Sequence, residues 1–550
     1  MNEKDELLTY FLEQEGIQRQ KSRIVPPRSR FDPPCLSFAQ ERFWFLDQFE
    51  PNRSVYNSCK VERLVGKLDF ASLADSLKTV VRRHEVLRTT YPAVDGQPIQ
   101  KISPTMTLPF PLENLRGVPA NDRDSEVLRF AERESQCPFD LTKGPLIRAK
   151  VLQFSDEEHV LLLTLHQMIY DSWSVGVLFR ELWTFYESFS RLRESSPGEL
   201  PIQYADFAVW QREWLRGEVL ESHIAYWKEQ LGDSQPAADL PTDRSRPRLQ
   251  SYHGRKRSIA LPEPLKAALK DLSRREGATL FMALLAAFKT LLHRYTAQDD
   301  LVVGCPVINR SLPEIENLIG SFVNTLVLRT DVSGNPTFRA VLSRVRDVCL
   351  SAYAHQDLPF EKLVEELQPQ RDLARSPLFQ TMFAFQNTPL PNLSLPDLKS
   401  ESIEVDGGIA KFDLTFSLAE KDQGIAGYVE YSTDLFDHAT IGRMIGHFQT
   451  LLEGIVSDPD QRISDLPILA EAERNQLLLE WNDTKADYPK DRGIHKLFEE
   501  QAERTPDAIA VAFEAQQLTY RDLNTRANQL GHYLISLGVR PGKLVGICVG

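Results

Sequence analysis

At 550 residues the chain exceeds what one hydrophobic core organises, so about two to four domains are expected. A hydrophobic share of 42% and a charged share of 26% are those of a soluble globular protein, and the net charge of −13 argues against nucleic acid as the main partner. No apolar run approaches the ~18 residues that a bilayer requires, and MNEKDELLTYF carries acids where a signal peptide needs a basic region, so no membrane association and a cytoplasmic location are expected.

Residues 3–16 have the spacing of a short helix, with Leu7, Leu8, Phe11 and Leu12 on one face and Gly16 at its end. Between positions 19 and 30 five basic residues occur without an acidic one, while Pro26-Pro27 and Pro33-Pro34 interrupt regular structure. That segment is either a solvated linker or a docking segment for a partner protein. The block LSFAQERFWFLDQFEP from Leu36 sets Phe38, Arg42, Trp44 and Phe45 close enough to predict a helix covered on most sides. LADSLKTVVRRHEVLRTTY predicts a helix running into a strand. Its Arg88 lies where the chain turns extended, and a buried Arg88 would need an anionic partner, because an unpaired buried charge is costly.

The stretch LLLTLHQMIYDSWSVGVLFREL, 161–182, predicts a buried strand that ends at His166 and a helix that begins shortly after it. Val175, Leu178, Phe179, Leu182 and Phe185 supply the helical stripe, and Ser172 or Ser174 is the candidate N-cap. A histidine in such a place is most often a satisfied core residue, and it becomes a site candidate only with other support. Loops held by rigid elements do position chemistry well.

Past it, YADFAVWQREWL predicts a helix and QPAADLPTDRSRPRLQ a long crossover. Two helices split at Gly277 follow, then the strand LVVGCPVINR with a turn, the strand IGSFVNTLVLRT, and a helical run from Pro336 to Leu367. Strands alternating with helices in both halves predict an α/β protein of two lobes. The six cysteines are dispersed, which predicts neither disulfides nor a zinc site, and the eleven histidines contain no helical His-x-x-x-His pair, so no metal is expected. The composition shifts between 457 and 490. The last sixty residues then begin a new α/β unit that stops on a strand, as a fragment would.

Seven of these blocks, SFAQERFWFL, RHEVLRTTY, LHQMIYDSWS, YADFAVWQREWL, IGSFVNTLVLRT, HQDLPFEKLV and YSTDLFD, stand in one order, and in that order they resemble the condensation domain of nonribosomal peptide synthetases. WNDT and LTYRDL resemble the start of an adenylation (AMP-binding) domain, which stops here before its Gly-rich phosphate loop, so its ATP site is not included. The resemblance implies an α/β fold of two chloramphenicol-acetyltransferase-like lobes in a V arrangement. It divides the chain into an N-terminal helix and basic linker at 1–34, lobes at 35–205 and 206–460, a linker at 461–490 and the adenylation start at 491–550. A tunnel between the lobes would take the 4'-phosphopantetheine arms of donor and acceptor peptidyl carrier proteins, with no cofactor bound by the domain itself. Because the chain opens on its own Met1 and short helix, the donor is expected on another polypeptide of the synthetase, one that lies upstream and docks through residues 1–30.

The family's signature is His-His-x-x-x-Asp-Gly, with the second histidine at the reacting amine. Here the stretch reads His166-Gln167-Met168-Ile169-Tyr170-Asp171-Ser172. Gln167 can hold a nucleophile by hydrogen bonds but has no pKa with which to take its proton. General-base assistance is worth about 10²- to 10⁴-fold, whereas orienting two tethered reactants supplies about 7–11 kcal/mol, so the substitution is expected to slow the reaction without silencing it. The resemblance makes Asp171 a structural partner of an arginine, with Arg88 the candidate and Arg83 the rival. It makes His166 the support of the loop, Ser172 a small residue at the helix start, and Trp173, Ser174, Asn324 and His355 lining or packing residues. The implied activity is amide formation between a carrier-bound acyl or peptidyl thioester and a carrier-bound aminoacyl acceptor. The alternatives are a scaffold that docks carriers without condensing them, and a variant that modifies a tethered residue.

Overall fold

The run Glu158–His166 buries every side chain but its first, which is the pattern of a strand covered on both faces. In the computed structural model it is an interior strand of the first of two six-stranded sheets among the described residues. The structure describes residues 24–28, 34–49, 54–191, 198–232, 239–370, 372–386, 394–395, 398–487 and 490–548. It falls into two compact units, 1–470 and 471–550.

The first sheet runs in the order Ser394–Leu395, Leu398–Ile403, Asn57–Gly66, Glu158–His166, Ile147–Gln153, Leu112–Asn114. Its neighbours are antiparallel except for the last pair. On one face the helices Phe70–Arg83 and Ser172–Ser190 pack Leu77, Val80, Leu178 and Leu182 against Leu161, Leu163 and Leu165. On the other, Val127 and Ala131 of the helix Arg123–Gln136 cover Val160 and Leu162. The alternation of strand positions between two cores is the period-two geometry of a pleated strand.

The second sheet runs Asn324–Asp331, Asp300–Val307, Thr381–Gln386, Leu414–Lys421, Gly424–Ser432, Gly254–Pro262. Among its helices, Glu263–Arg275 and Leu280–Thr296 are separated at Gly277, whose φ of +57° is the left-handed conformation that glycine adopts most cheaply. Leu280–Thr296 is buried through most of its length, with Phe288 against Phe383 and Phe416 at 5.3 and 4.8 Å.

Two segments cross from the second half of the chain into the first core. Leu398–Ile403 pairs antiparallel with Asn57–Gly66, and the loop 308–323 inserts Ile315, Leu318, Ile319 and Phe322 among the apolar residues of the first sheet's helices. Tyr204–Trp214 also packs there through Tyr204 and Phe207, while Glu218–Leu231 gives Trp227 and Leu231 to the second core. A cut at 205/206 therefore does not follow the packing, because strand pairing rather than chain order assigns residues to a sheet.

Other local expectations are also corrected. The helix Phe38–Phe49 buries Phe43 but leaves Phe45 and Phe49 61% and 70% exposed, since only one side of it faces the protein. Part of the supposed solvated linker is packed: Val25 is buried, and Arg28 pairs with Asp206 and Glu85, both at 2.8 Å. The expected helix at 3–16 lies outside the described residues.

The second unit opens on the short helical segments Glu471–Asn475 and Gln476–Glu480 and continues with the helix Ile494–Arg504, the hairpin Ile509–Phe513 with Gln516–Thr519, and the helix Tyr520–Ser536, whose Thr519 and Asp522 cap each other's backbone N–H groups. The strand expected at the end of the chain is not formed among the described residues, where 543–548 has no strand pairing. All six cysteines are free, and Cys137 and Cys548 are exposed. No described helix is long and apolar enough to cross a membrane.

Candidate active site

His166 closes its strand opposite Asn57, and the chain then turns through 167–171 into the helix Ser172–Ser190. The N-cap is Asp171, not Ser172 or Ser174: its Oδ1 accepts from the Ser174 N–H at 2.8 Å. An aspartate caps as well as a serine does, and its charge also suits the positive end of the helix dipole. Ser172 is exposed at the first helical position, and Trp173 donates its Nε1–H to Glu316 O at 2.8 Å.

Asp171 is buried and has four donors. Besides Ser174 N–H, Phe322 N–H reaches Oδ2 at 3.0 Å, the Ser174 hydroxyl lies 2.7 Å from Oδ1, and Arg310 Nη2 lies 3.1 and 3.4 Å from the two oxygens. Arg310 is the partner that the sequence did not reveal. Its Nη1 donates to Ile315 O and Leu318 O at 2.6 and 2.7 Å, and its guanidinium lies over the Phe322 ring at 4.0 Å. Burial holds its pKa below the ordinary arginine value against the pull of Asp171. Both candidates from the first lobe are spent elsewhere: Arg88 donates to Ser103 O and lies 3.7 Å from Glu85, and Arg83 pairs with Glu181 at 3.0 Å. The helical and 3₁₀ geometry of 70–88 turns these side chains toward their own lobe, so nearness in sequence misled. The only available signal for Arg310 was an arginine in a turn directly after a buried strand.

His166 is boxed edge-on by Phe43, Tyr56 and Phe139, with centroids 6.1–6.2 Å away. Its Nδ1 accepts from the Met168 N–H at 3.2 Å. Burial, with the nearby Lys411 charge, pushes its pKa down to about 3, so it is neutral across the physiological range. An accepting Nδ1 places its one proton on Nε2.

Gln167 is partly exposed. Its backbone N–H donates to Tyr56 O at 2.9 Å, and its Oε1 accepts from Lys411 Nζ at 2.7 Å. With the carbonyl end so occupied, the Nε2 hydrogens are the end of the amide left to meet a reactant. Lys411 itself lies over the Tyr56 ring at 5.0 Å and comes from the segment that leads into Leu414–Lys421 of the second sheet. No periodicity marks it in the sequence.

Asn324 and His355 stand apart from this group. Asn324 Nδ2 donates to Gln356 O and Leu358 O at 2.8 and 2.7 Å, while its Oδ1 accepts from the Phe360 and Thr325 N–H groups, so all its capacity ties one loop to one strand. His355 stacks on Tyr226 at 3.9 Å and bonds Ser351 O through Nδ1. Ser174 is a buried crosspiece: it accepts from the Gly320 N–H and Arg310, and its hydrogen is shared between Asp171 Oδ1 and Gly320 O. A recess of about 360 Å³ on the first lobe, lined by Phe139, Glu134 and Arg148, includes none of the motif residues. Among the described residues no three His, Cys, Asp or Glu side chains gather as metal ligands.

The arrangement offers a neutral imidazole, an oriented amide and a flanking lysine, on a loop fixed by an ion pair from the other half of the chain. The condensation-domain family model matches residues 33–478, and the AMP-binding enzyme model matches 498–550. A component of the linear gramicidin synthase of Brevibacillus parabrevis is 47% identical over 540 residues, which are 97% of this chain and 11% of that protein. Phosphinothricin tripeptide synthetase PhsC of Streptomyces viridochromogenes is 41% identical over 96% of this chain and 48% of its own length. The chain thus spans about a tenth of the length of the curated relatives it matches first. The X-domain from teicoplanin biosynthesis superposes with a TM-score of 0.74 at 30% identity, covering 81% of this chain and 100% of that one. The four-domain synthetase holo-AB3403 shares the fold at a TM-score of 0.81 and 23% identity, over 95% of this chain and 40% of its own. Matches of that extent place the chain in a family: it belongs to the condensation domains of nonribosomal peptide synthetases, acyltransferase-type enzymes that form peptide bonds, and it carries behind that domain the beginning of an AMP-binding domain.

Proposed function

We propose that this domain condenses a carrier-bound acyl or peptidyl thioester with a carrier-bound aminoacyl amine, and that the glutamine of its motif slows the reaction without abolishing it. The observation that carries this reading is the state of Gln167: partly exposed, with its amide held in one orientation by Lys411 at 2.7 Å, on a loop locked by Asp171 and Arg310. A decayed site would have no reason to keep such a preorganised donor. In this reading the Nε2–H of Gln167 positions the reactants and stabilises the oxyanion that forms on the thioester carbonyl. His166 and Asp171 hold the loop, and Ser172, Trp173 and Ser174 shape its helical end. The acceptor's α-amine, with a pKa of about 8, is already partly neutral at cellular pH, so the reaction needs less base assistance than most acyl transfers.

The substrates arrive on the phosphopantetheine arms of a donor and an acceptor carrier, the domain binds no cofactor of its own, and residues 1–30 dock an upstream polypeptide of the synthetase in the cytoplasm. One observation favours a second reading, a docking module without condensation: the teicoplanin X-domain, which is similar to this chain, is known in complex with OxyB.

Dipeptide formation with both substrates loaded on carriers separates the two. Product is expected from the unmodified chain, with a rate about 10²- to 10³-fold lower in Gln167→Ala, the usual loss for one oxyanion donor. Carriers bound without any product would overturn the condensation reading. Mass spectrometry of the carrier-bound species detects modification of a tethered residue.

A further inference from the structure

Resting on that condensation reading, we propose that Lys411 is the proton acceptor of the reaction, filling from the second lobe the role that position 167 cannot perform as glutamine. Its Nζ is 2.7 Å from Gln167 Oε1, and both residues are half-buried, so the amine lies one hydrogen bond from the group that would meet the substrate. His166 cannot take this part, since its Nδ1 is occupied by the Met168 N–H and three rings enclose it. Arg42 cannot either, since a guanidinium stays protonated and this one pairs with Glu361 at 3.1 Å.

The surroundings hold Lys411 ready to release its proton. Burial is the largest influence, and Arg42 on the helix Phe38–Phe49 and Lys256 on the strand Gly254–Pro262 add like charge. Glu430 on the strand Gly424–Ser432 opposes them, and is itself kept toward its neutral form by burial and by Asp406. His166, facing Lys411 from the first lobe, stays uncharged, and Tyr56 presents its ring face. The net effect brings Lys411 down to about 8, where roughly half of it is neutral at pH 8.

A neutral Lys411 donates one N–H to Gln167 Oε1 and keeps its lone pair. When the acceptor's nitrogen attacks the thioester carbonyl, a C–N bond forms and that nitrogen carries an extra proton, which passes to Lys411 Nζ. Collapse of the tetrahedral adduct breaks the C–S bond, and Lys411 returns the proton to the departing thiolate. The products are the amide and the donor arm's free thiol, with no further reactant needed.

Single-turnover condensation, measured across pH in Lys411→Arg, tests this. Arginine keeps the charge and the hydrogen bond but cannot lose its proton, so a loss of about 10²-fold or more at pH 8 is expected, together with loss of the rate increase that deprotonating Lys411 contributes. Adding Gln167→His to Lys411→Arg should restore at least about tenfold of that loss, because an imidazole again supplies a base. That rescue also shows the arginine variant to be folded. An unchanged rate and pH profile in Lys411→Arg, or a loss that the histidine does not rescue, overturns the proposal and leaves the condensation reading standing. No product from the unmodified chain overturns both.

Discussion

Asp171 and Arg310 stand 139 positions apart in sequence and form an ion pair in a nearly fully buried place, their side chains 3% and 2% exposed. Such a pair gains little over an apolar replacement of both, but removing one partner strands the other. Arg310→Ala is therefore expected to lower the unfolding free energy by about 3–5 kcal/mol, as read by urea denaturation. Arg310→Lys should recover little of it, because a single ammonium cannot reach Asp171, Ser174 and the carbonyls of Ile315 and Leu318 together. A loss below ~1 kcal/mol in the alanine variant would count against this role. The aspartate was legible from its motif, as was the changed glutamine beside it. Arg310 and Lys411 were not, since each reaches the site only through the folded path of a later segment.

At the scale of the element, the loop 308–323 is where the two halves of the first unit interlock. Gly320 lies against Tyr204, and a Cβ built on it would come within 1.9 Å of the ring. The ring cannot move away freely, because its hydroxyl donates to Ser321 O at 2.7 Å and meets Ser37 Oγ at 2.8 Å. Gly320→Ala should thus cost about 1–3 kcal/mol, the usual penalty of overpacking, seen as a lowered thermal midpoint. An alanine variant as stable as the parent would show that the loop yields. Helices with clear apolar spacing, such as Leu280–Thr296, and strands with unbroken apolar runs, such as Glu158–His166, could be read directly. The strand Leu398–Ile403, sequence LKSESI, could not: its exposed polar residues give no period, and its place is fixed by the edge it completes.

For the whole molecule, the two segments that cross into the first core make the first lobe depend on the second half of the chain. A fragment of residues 35–205 would lack the strand that pairs with Asn57–Gly66, the partner of Asp171, and the apolar plug of Ile315, Leu318, Ile319 and Phe322. It is expected to show no cooperative unfolding transition, whereas the full chain should; a sharp transition in the fragment would refute the dependence. By itself the sequence determined the class of fold, the order of most elements, and the altered motif at the end of a buried strand, because these rest on local spacing and on short blocks. Only the tertiary structure decided which arginine holds Asp171, which lysine meets Gln167 and which sheet owns the strand 398–403. Those are pairings across 139, 244 and more than 300 positions, set by where the packed elements deliver their side chains and not by any pattern within one stretch.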